Sequence, residues 1–183
     1  MRRSRIAAAV AVGVLVGGVA AYATTAEGPP PKVTRDELAA YEEAVVPIVK
    51  DGGKVVQLGM KPAMDDLAHL HIVPPKVIGS EGDGWVLSLE QVRARLSRVP
   101  TPPTLREVTD YFLIALDRYT AAAREFANAA RAAGSARATS LKRGVTLATS
   151  ADHTYDRGSA LLQAARHSVG LAPNPNFPEA NDG

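Results

Sequence analysis

The chain contains no cysteine. Disulfides, thiolate metal sites, covalent haem attachment and lipoprotein acylation are therefore excluded, while the redox compartment stays open. The short signatures of common chemistries are also missing. There is no G-x-S-x-G, no H-E-x-x-H, no phosphate-binding glycine loop and no dinucleotide fingerprint. A usable excess of positive charge is missing too. Of 21 Lys and Arg, three lie at positions 2, 3 and 5; the remaining 18 face 19 acidic residues, a balance of −1. The basic pI comes from the first five residues, and the rest of the chain has no charge excess with which to neutralise phosphates. No nucleic-acid partner is expected.

What is present begins with targeting. Met1-Arg-Arg-Ser-Arg5 is a basic start, and Ile6 to Ala23 carries no charge. This is an export or membrane signal with its basic end in the cytoplasm. Ala21-Tyr22-Ala23 fits a signal-peptidase site. The apolar run, however, exceeds the about 7–15 residues of a signal core and approaches the roughly 17–25 of a spanning helix. The reading is an uncleaved anchor, with cleavage after Ala23 as its competitor. Arg5 interrupts any twin-arginine pattern. Ala9, Gly13, Gly17 and Ala21 form a small-residue face of the kind that lets spanning helices pair, and a Gly/Ala-rich signal gives the same spacing by chance. The expected organisation is a signal-anchor or signal peptide over 1–26, a Pro-rich linker over 27–33, an extracytoplasmic helical bundle over 34–171 and a disordered tail over 172–183.

The expected fold is all-α: an antiparallel bundle of four to five helices built on a long C-terminal hairpin, about 104–133 and 135–169. Thr104-Leu-Arg-Glu107 reads as a capping box. Leu105, Val108, Phe112, Ala115, Tyr119, Ala122, Phe126, Ala129 and Ala133 then recur at steps of three and four, a helix face. Gly134 suits a left-handed stop and Ser135 a new cap. The second arm carries Leu141, Val145, Ala148, Asp152, Tyr155, Ser159, Leu162, Ala165 and Val169. Folding the arms about Gly134-Ser135 sets Phe126 near Leu141 and Val145, and Tyr119 near Ala148 and Asp152. A buried carboxylate without a partner is costly. Asp152 is therefore expected to take the Tyr119 hydroxyl.

Upstream, Thr34-Arg-Asp-Glu37 is a second capping box, followed by Leu38, Tyr41, Val45, Ile48, Gly52 and Val55 at helical spacing. Pro47 predicts a kink. Gly52-Gly53 either ends the helix or is crossed by it, and Lys54 to Leu58 stays open between helix and strand. Gly59-Met-Lys-Pro62 reads as a stop before a short helix to about His71. Ser80-Glu-Gly-Asp-Gly84 reads as a turn, with a small hairpin between Val77-Ile78 and Trp85-Val86-Leu87 possible. Too few carboxylates follow Asp83-Gly84 for a calcium loop. Ser88-Leu-Glu-Gln91 opens another short helix, ended by Pro100, Pro102 and Pro103.

Candidate sites are few. Asp65 and His69 share a helix face, but His69 and His71 lie about 200° apart on a helix and cannot chelate together. Met60, Met64, His71 and His167 lack a haem spacing. His153 beside Asp156, with Ser150 or Ser159 near, is an ordinary i, i+3 surface pair. The six cations Arg131, Arg137, Lys142, Arg143, Arg157 and Arg166 read as a solvated face. No catalytic, cofactor-binding or metal-ligating set is expected, and no enzyme activity. The expected role is a non-catalytic accessory or interaction subunit of an envelope complex, held at the cytoplasmic membrane by its N-terminal helix, its domain outside. The competitor is a secreted helical small-ligand or metal binder, with its pocket near Asp152, Tyr119 and Trp85.

Overall fold

The computed structural model describes residues 32–64 and 75–177. The N-terminal segment, Asp65, His69, His71 and the last six residues lie outside the described residues. So do all expectations placed on them. Among the described residues every regular element is helical, and no helix is long and apolar enough to cross a membrane. Among the described residues four α-helices build the domain: α1 (Arg35–Lys54), α2 (Pro75–Leu96), α3 (Arg106–Arg131) and α4 (Gly134–Ser168).

Helix α1 starts as its sequence dictates. The Thr34 hydroxyl accepts from the Glu37 amide at 3.2 Å, and the Glu37 carboxylate accepts from the Thr34 amide at 2.9 Å. Those hydrogen bonds, the backbone one first, hold the Glu37 carboxyl below its ordinary range. The helix runs through Pro47 and both glycines. It then opens into a six-residue π-helical stretch, Val55–Met60, closed by the Lys61 amide donating to the Val56 carbonyl. Residues 61–64 continue helically. Neither Gly52-Gly53 nor Gly59 ends the path. The wider turn moves the buried stripe from the expected Val55 to Val56 and on to Met60.

The expected turn at Ser80–Gly84 and the hairpin around it are not formed. Both lie inside α2, and so does Ser88, which caps nothing. The glycines serve contact instead. A Cβ on Gly82 would stand 2.8 Å from the Ala127 Cβ, so α2 and α3 meet there nearly backbone to backbone. Their register is held by a ladder of three pairs: Arg131–Asp83, Arg124–Glu90 and Arg93–Asp117. All are exposed, and exposed pairs contribute about 0–1 kcal/mol each. They orient the helices more than they stabilise them.

The Thr104 capping box also fails. Pro103 opens a 3-10 turn, Pro103–Leu105, so Thr104 sits inside a turn and its hydroxyl is buried without a partner. The Leu105 amide reaches the Pro102 carbonyl at 2.9 Å, and α3 begins one residue later. From there the expected face holds: Leu105, Val108, Phe112, Ala115, Tyr119, Ala122, Phe126 and Ala129 are all buried. The buried arc of α3 is wider than that stripe, taking in Thr109, Leu116, Thr120, Ala123 and Ala127. It is wide because α3 lies between α2 and α4.

Ala132 and Ala133 are extended, and Gly134 turns the chain at φ +55. Ser135 makes no cap; the Ala133 carbonyl receives the Arg137 amide instead. The returning helix is rotated slightly from the expected stripe. Gly144, Ala148, Ala151, Gly158 and Leu162 are buried, whereas Val145 is 45% exposed. Glycines that sequence counts as helix-weak are the sockets here. A Cβ on Gly158 would stand 2.9 Å from Phe112 Cε1, and one on Gly144 would run into the ring of Phe126. Each phenylalanine of α3 is thus received by a glycine of α4.

The tail is not free. Phe177 is 1% exposed, and its ring stacks on Phe112 at 5.6 Å between centroids. Gln163 accepts from the Asn174 amide at 3.0 Å and donates to the Asn174 carbonyl at 2.9 Å. Expected disorder over 172–183 is corrected as far as Phe177: the apolar ring has a core place to fill, which its proline-rich neighbours concealed. One turn before Phe112 on α3, the Tyr41 hydroxyl meets Thr109 Oγ1 at 2.9 Å, and burial pushes the Tyr41 pKa up to about 12. Tyr41→Phe should lower unfolding free energy by about 1 kcal/mol in urea denaturation, because it removes one buried hydrogen bond and leaves the shape. An unchanged midpoint would show that Thr109 is satisfied by Leu105 and Thr101 alone.

Candidate functional site

A cavity of about 510 Å³ opens between the C-terminal part of α1, the π-helical stretch, α3, α4 and the tail. Its apolar wall is Val49, Val56, Phe112, Ala115 and Leu116, with the rings of Tyr119 and Tyr155 beside them. Each wall has a local cause. Gly52 lets α1 come close: a Cβ there would lie 3.3 Å from Val92 and 3.4 Å from Leu116. The π turn then carries Val56 and Gln57 to the cavity rim. Such turns recur at functional sites because they break the regular ladder locally. Phe112 is fixed from both sides, stacked on Phe177 and tilted against Tyr155 at 5.4 Å.

The polar lining is uneven. Asp152 and Asp156 stand one turn apart on α4 and are half-buried; Lys50, Gln57 and Lys61 lie on the opposite wall and are exposed. The Tyr119 hydroxyl donates to Asp152 Oδ1, the pairing expected from the hairpin symmetry. Burial first, and that carboxylate second, hold the Tyr119 hydroxyl well above the ordinary tyrosine range. Burial raises Tyr155 as well. Both phenols stay protonated at neutral pH, and Tyr119 acts as a donor, not as a proton-transfer group. Among the described residues neither Asp152 nor Asp156 has an ion-pair partner. Two arginines of α3 and α4 are engaged elsewhere. Arg118 donates to the Ser150 carbonyl at 3.1 Å and to Thr154, and Arg157 lies over the Tyr111 ring at 5.8 Å.

Of the residues singled out from sequence, Asp152 and Tyr119 meet in this cavity. Trp85 does not line it; its indole covers Gly59. Ser159 is fully buried, and His153 and His167 are exposed on α4. Met60 is buried in the core. Three of the six cations are engaged, Arg131 with Asp83, Arg166 with Glu42 and Arg157 over the Tyr111 ring; Lys142 and Arg143 face solvent. Among the described residues no three His, Asp or Glu side chains cluster as a metal site would need. Sequence reasoning missed Lys50, which α1 itself brings to the cavity, and Gln57 and Asn176, which reach it through the π turn and the packed tail. Comparison with known protein families, with curated proteins and with solved structures returned no match to this chain.

Proposed function

We propose that the chain is an exported, non-catalytic helical bundle that holds a small ligand in the cavity between α1, α3 and α4. The observation that carries this is the cavity itself. About 510 Å³ lies in the range of small-molecule sites, roughly 300–1,000 Å³. Its walls also follow their pattern: mostly aromatic and aliphatic, with a few converging polar groups. The lining offers no paired nucleophile and base. Asp152 is occupied by a phenol that keeps its proton, which supports binding over turnover. The charge-free stretch from Ile6 to Ala23 supports delivery to the outer side of the cytoplasmic membrane, with the protein held there by that stretch or released after Ala23.

A second reading has its own support. Leu58 is 76% and Leu87 60% exposed, on the two elements that meet where Trp85 covers Gly59. Bare leucines there suit a protein partner, and with it the role of accessory subunit in an envelope complex.

Native mass spectrometry of the full protein, purified separately from membrane and culture-supernatant fractions, tests the first reading. The expected result is a small-molecule adduct that is lost when Leu116→Trp fills the cavity. A protein that is ligand-free from both fractions, and that no small molecule stabilises against heat, would sink it. Crosslinking to a protein neighbour through Leu58 and Leu87 would then favour the second reading.

A further inference from the structure

We propose that the cavity selects a small organic cation, an amine or quaternary ammonium with an apolar body; this rests on the ligand-binding reading above. Three observations converge. The half-buried charges of the lining are both negative, Asp152 and Asp156, one helical turn apart on α4. Neither has a cation within ion-pair reach among the described residues. The same cavity is lined by the aromatic side chains of Phe112, Tyr119 and Tyr155, a wall that suits the apolar body of such a cation.

The lysines do not reverse this. Lys50 and Lys61 lie on the wall away from α4, and both are exposed. A solvated, flexible ammonium attracts an anion weakly, because water screens it. The carboxylates are less wet, and an incoming ammonium replaces lost water with charge-assisted hydrogen bonds. Tyr119 contributes by position. Its hydroxyl donates to Asp152 Oδ1 and so fixes the carboxylate, whose remaining lone pairs stay available to a donor. An anionic ligand would instead meet two carboxylates. The apolar body then lies along Val49, Val56 and Leu116, with the lysines at the mouth.

The test compares three probes with one body and three heads: phenethylamine, 2-phenylethanol and phenylacetate. Binding to the full protein is measured by titration calorimetry at neutral pH and low salt. The amine is expected to bind about tenfold or more tighter than the alcohol, with phenylacetate weakest, given what a charge-assisted hydrogen bond contributes. Asp152→Asn and Asp156→Asn should each erase most of that preference, read as the ratio of amine to alcohol affinity within the same variant. Asp156→Asn keeps the Tyr119–Asp152 bond, so it remains informative if Asp152→Asn disturbs the fold. Equal binding of amine and alcohol would overturn the cation inference and leave the cavity reading standing. Tightest binding of phenylacetate would do the same and hand the selection to the lysines. Failure of all three probes, with no native adduct, would overturn both.

Discussion

Gly144→Val and Gly158→Val are each expected to lower unfolding free energy by about 2–4 kcal/mol, although valine is the better helix former. The reason is local. Phe126 is fully buried and Phe112 nearly so, and each ring occupies the space a Cβ would need. A ring closed in on all sides cannot move by a few tenths of an ångström without moving its own neighbours. Phe112 would press on Tyr155 and Phe177 together. Gly84 is the internal control. It lies within α2, and a Cβ there would meet nothing within 4 Å. Gly84→Ala should therefore raise stability by about 0.5–1 kcal/mol, since only the helix-propensity difference remains. Urea denaturation of the three variants checks both signs. Stabilisation by valine at 144 or 158 would mean that α3 and α4 do not meet through these sockets.

Arg166→Ala should cost about 2–4 kcal/mol. Arg166 pairs with Glu42, and the two side chains are only 14% and 11% exposed. Glu42 Oε1 also accepts from Asn174 Nδ2 at 3.2 Å, and Arg166 Nε donates to the Ala172 carbonyl at 2.6 Å. One ion pair thus joins α1, α4 and the tail. Removing the cation leaves a carboxylate that is desolvated and unpaired, and this penalty exceeds what the pair itself contributes. The partial exposure of both groups is why the figure stays below that of a fully buried pair. Glu42→Gln combined with Arg166→Met should recover much of the loss, because it removes both charges and keeps the volume. A double-mutant cycle measures the coupling. Strict additivity of the two single losses would show that the pair is not felt as one unit.

The hairpin of α3 and α4 was readable because its evidence is periodic. Steps of three and four over many turns admit one face only, and symmetry about Gly134 then brings Tyr119 to Asp152. What sequence misjudged shares one cause. Gly82 and Gly84 read as a turn because isolated glycine weakens a helix; that propensity is small beside the packing gained when Gly82 lets α2 lie against Ala127. Gly144 and Gly158 are invisible to a count of apolar residues, so the expected α4 stripe takes in the exposed Val145 and passes over both glycines, while its Ser159 is buried as expected. Capping boxes at Thr104 and Ser88 satisfy the same spacing rule as Thr34. They fail because a proline-driven 3-10 turn and a longer helix occupy those positions. Half of the cavity was legible, the half on α3 and α4. The other half comes from the end of α1, whose helix was legible although its place against the cavity was not, and from a π turn and Asn176, for which the sequence carries no local signal.

Arg35, the first residue of α1, donates to the Val169 carbonyl at 2.8 Å, just past the end of α4. The two ends of the helical domain therefore touch. In topological terms the bundle is nearly a ring, broken between residues that are already neighbours. The order in which the helices are strung is then one of several cyclic orders that the same packing would accept. Tension between the two ends would load this junction first, and with it the Glu42–Arg166 pair, before it reached the α3–α4 interface.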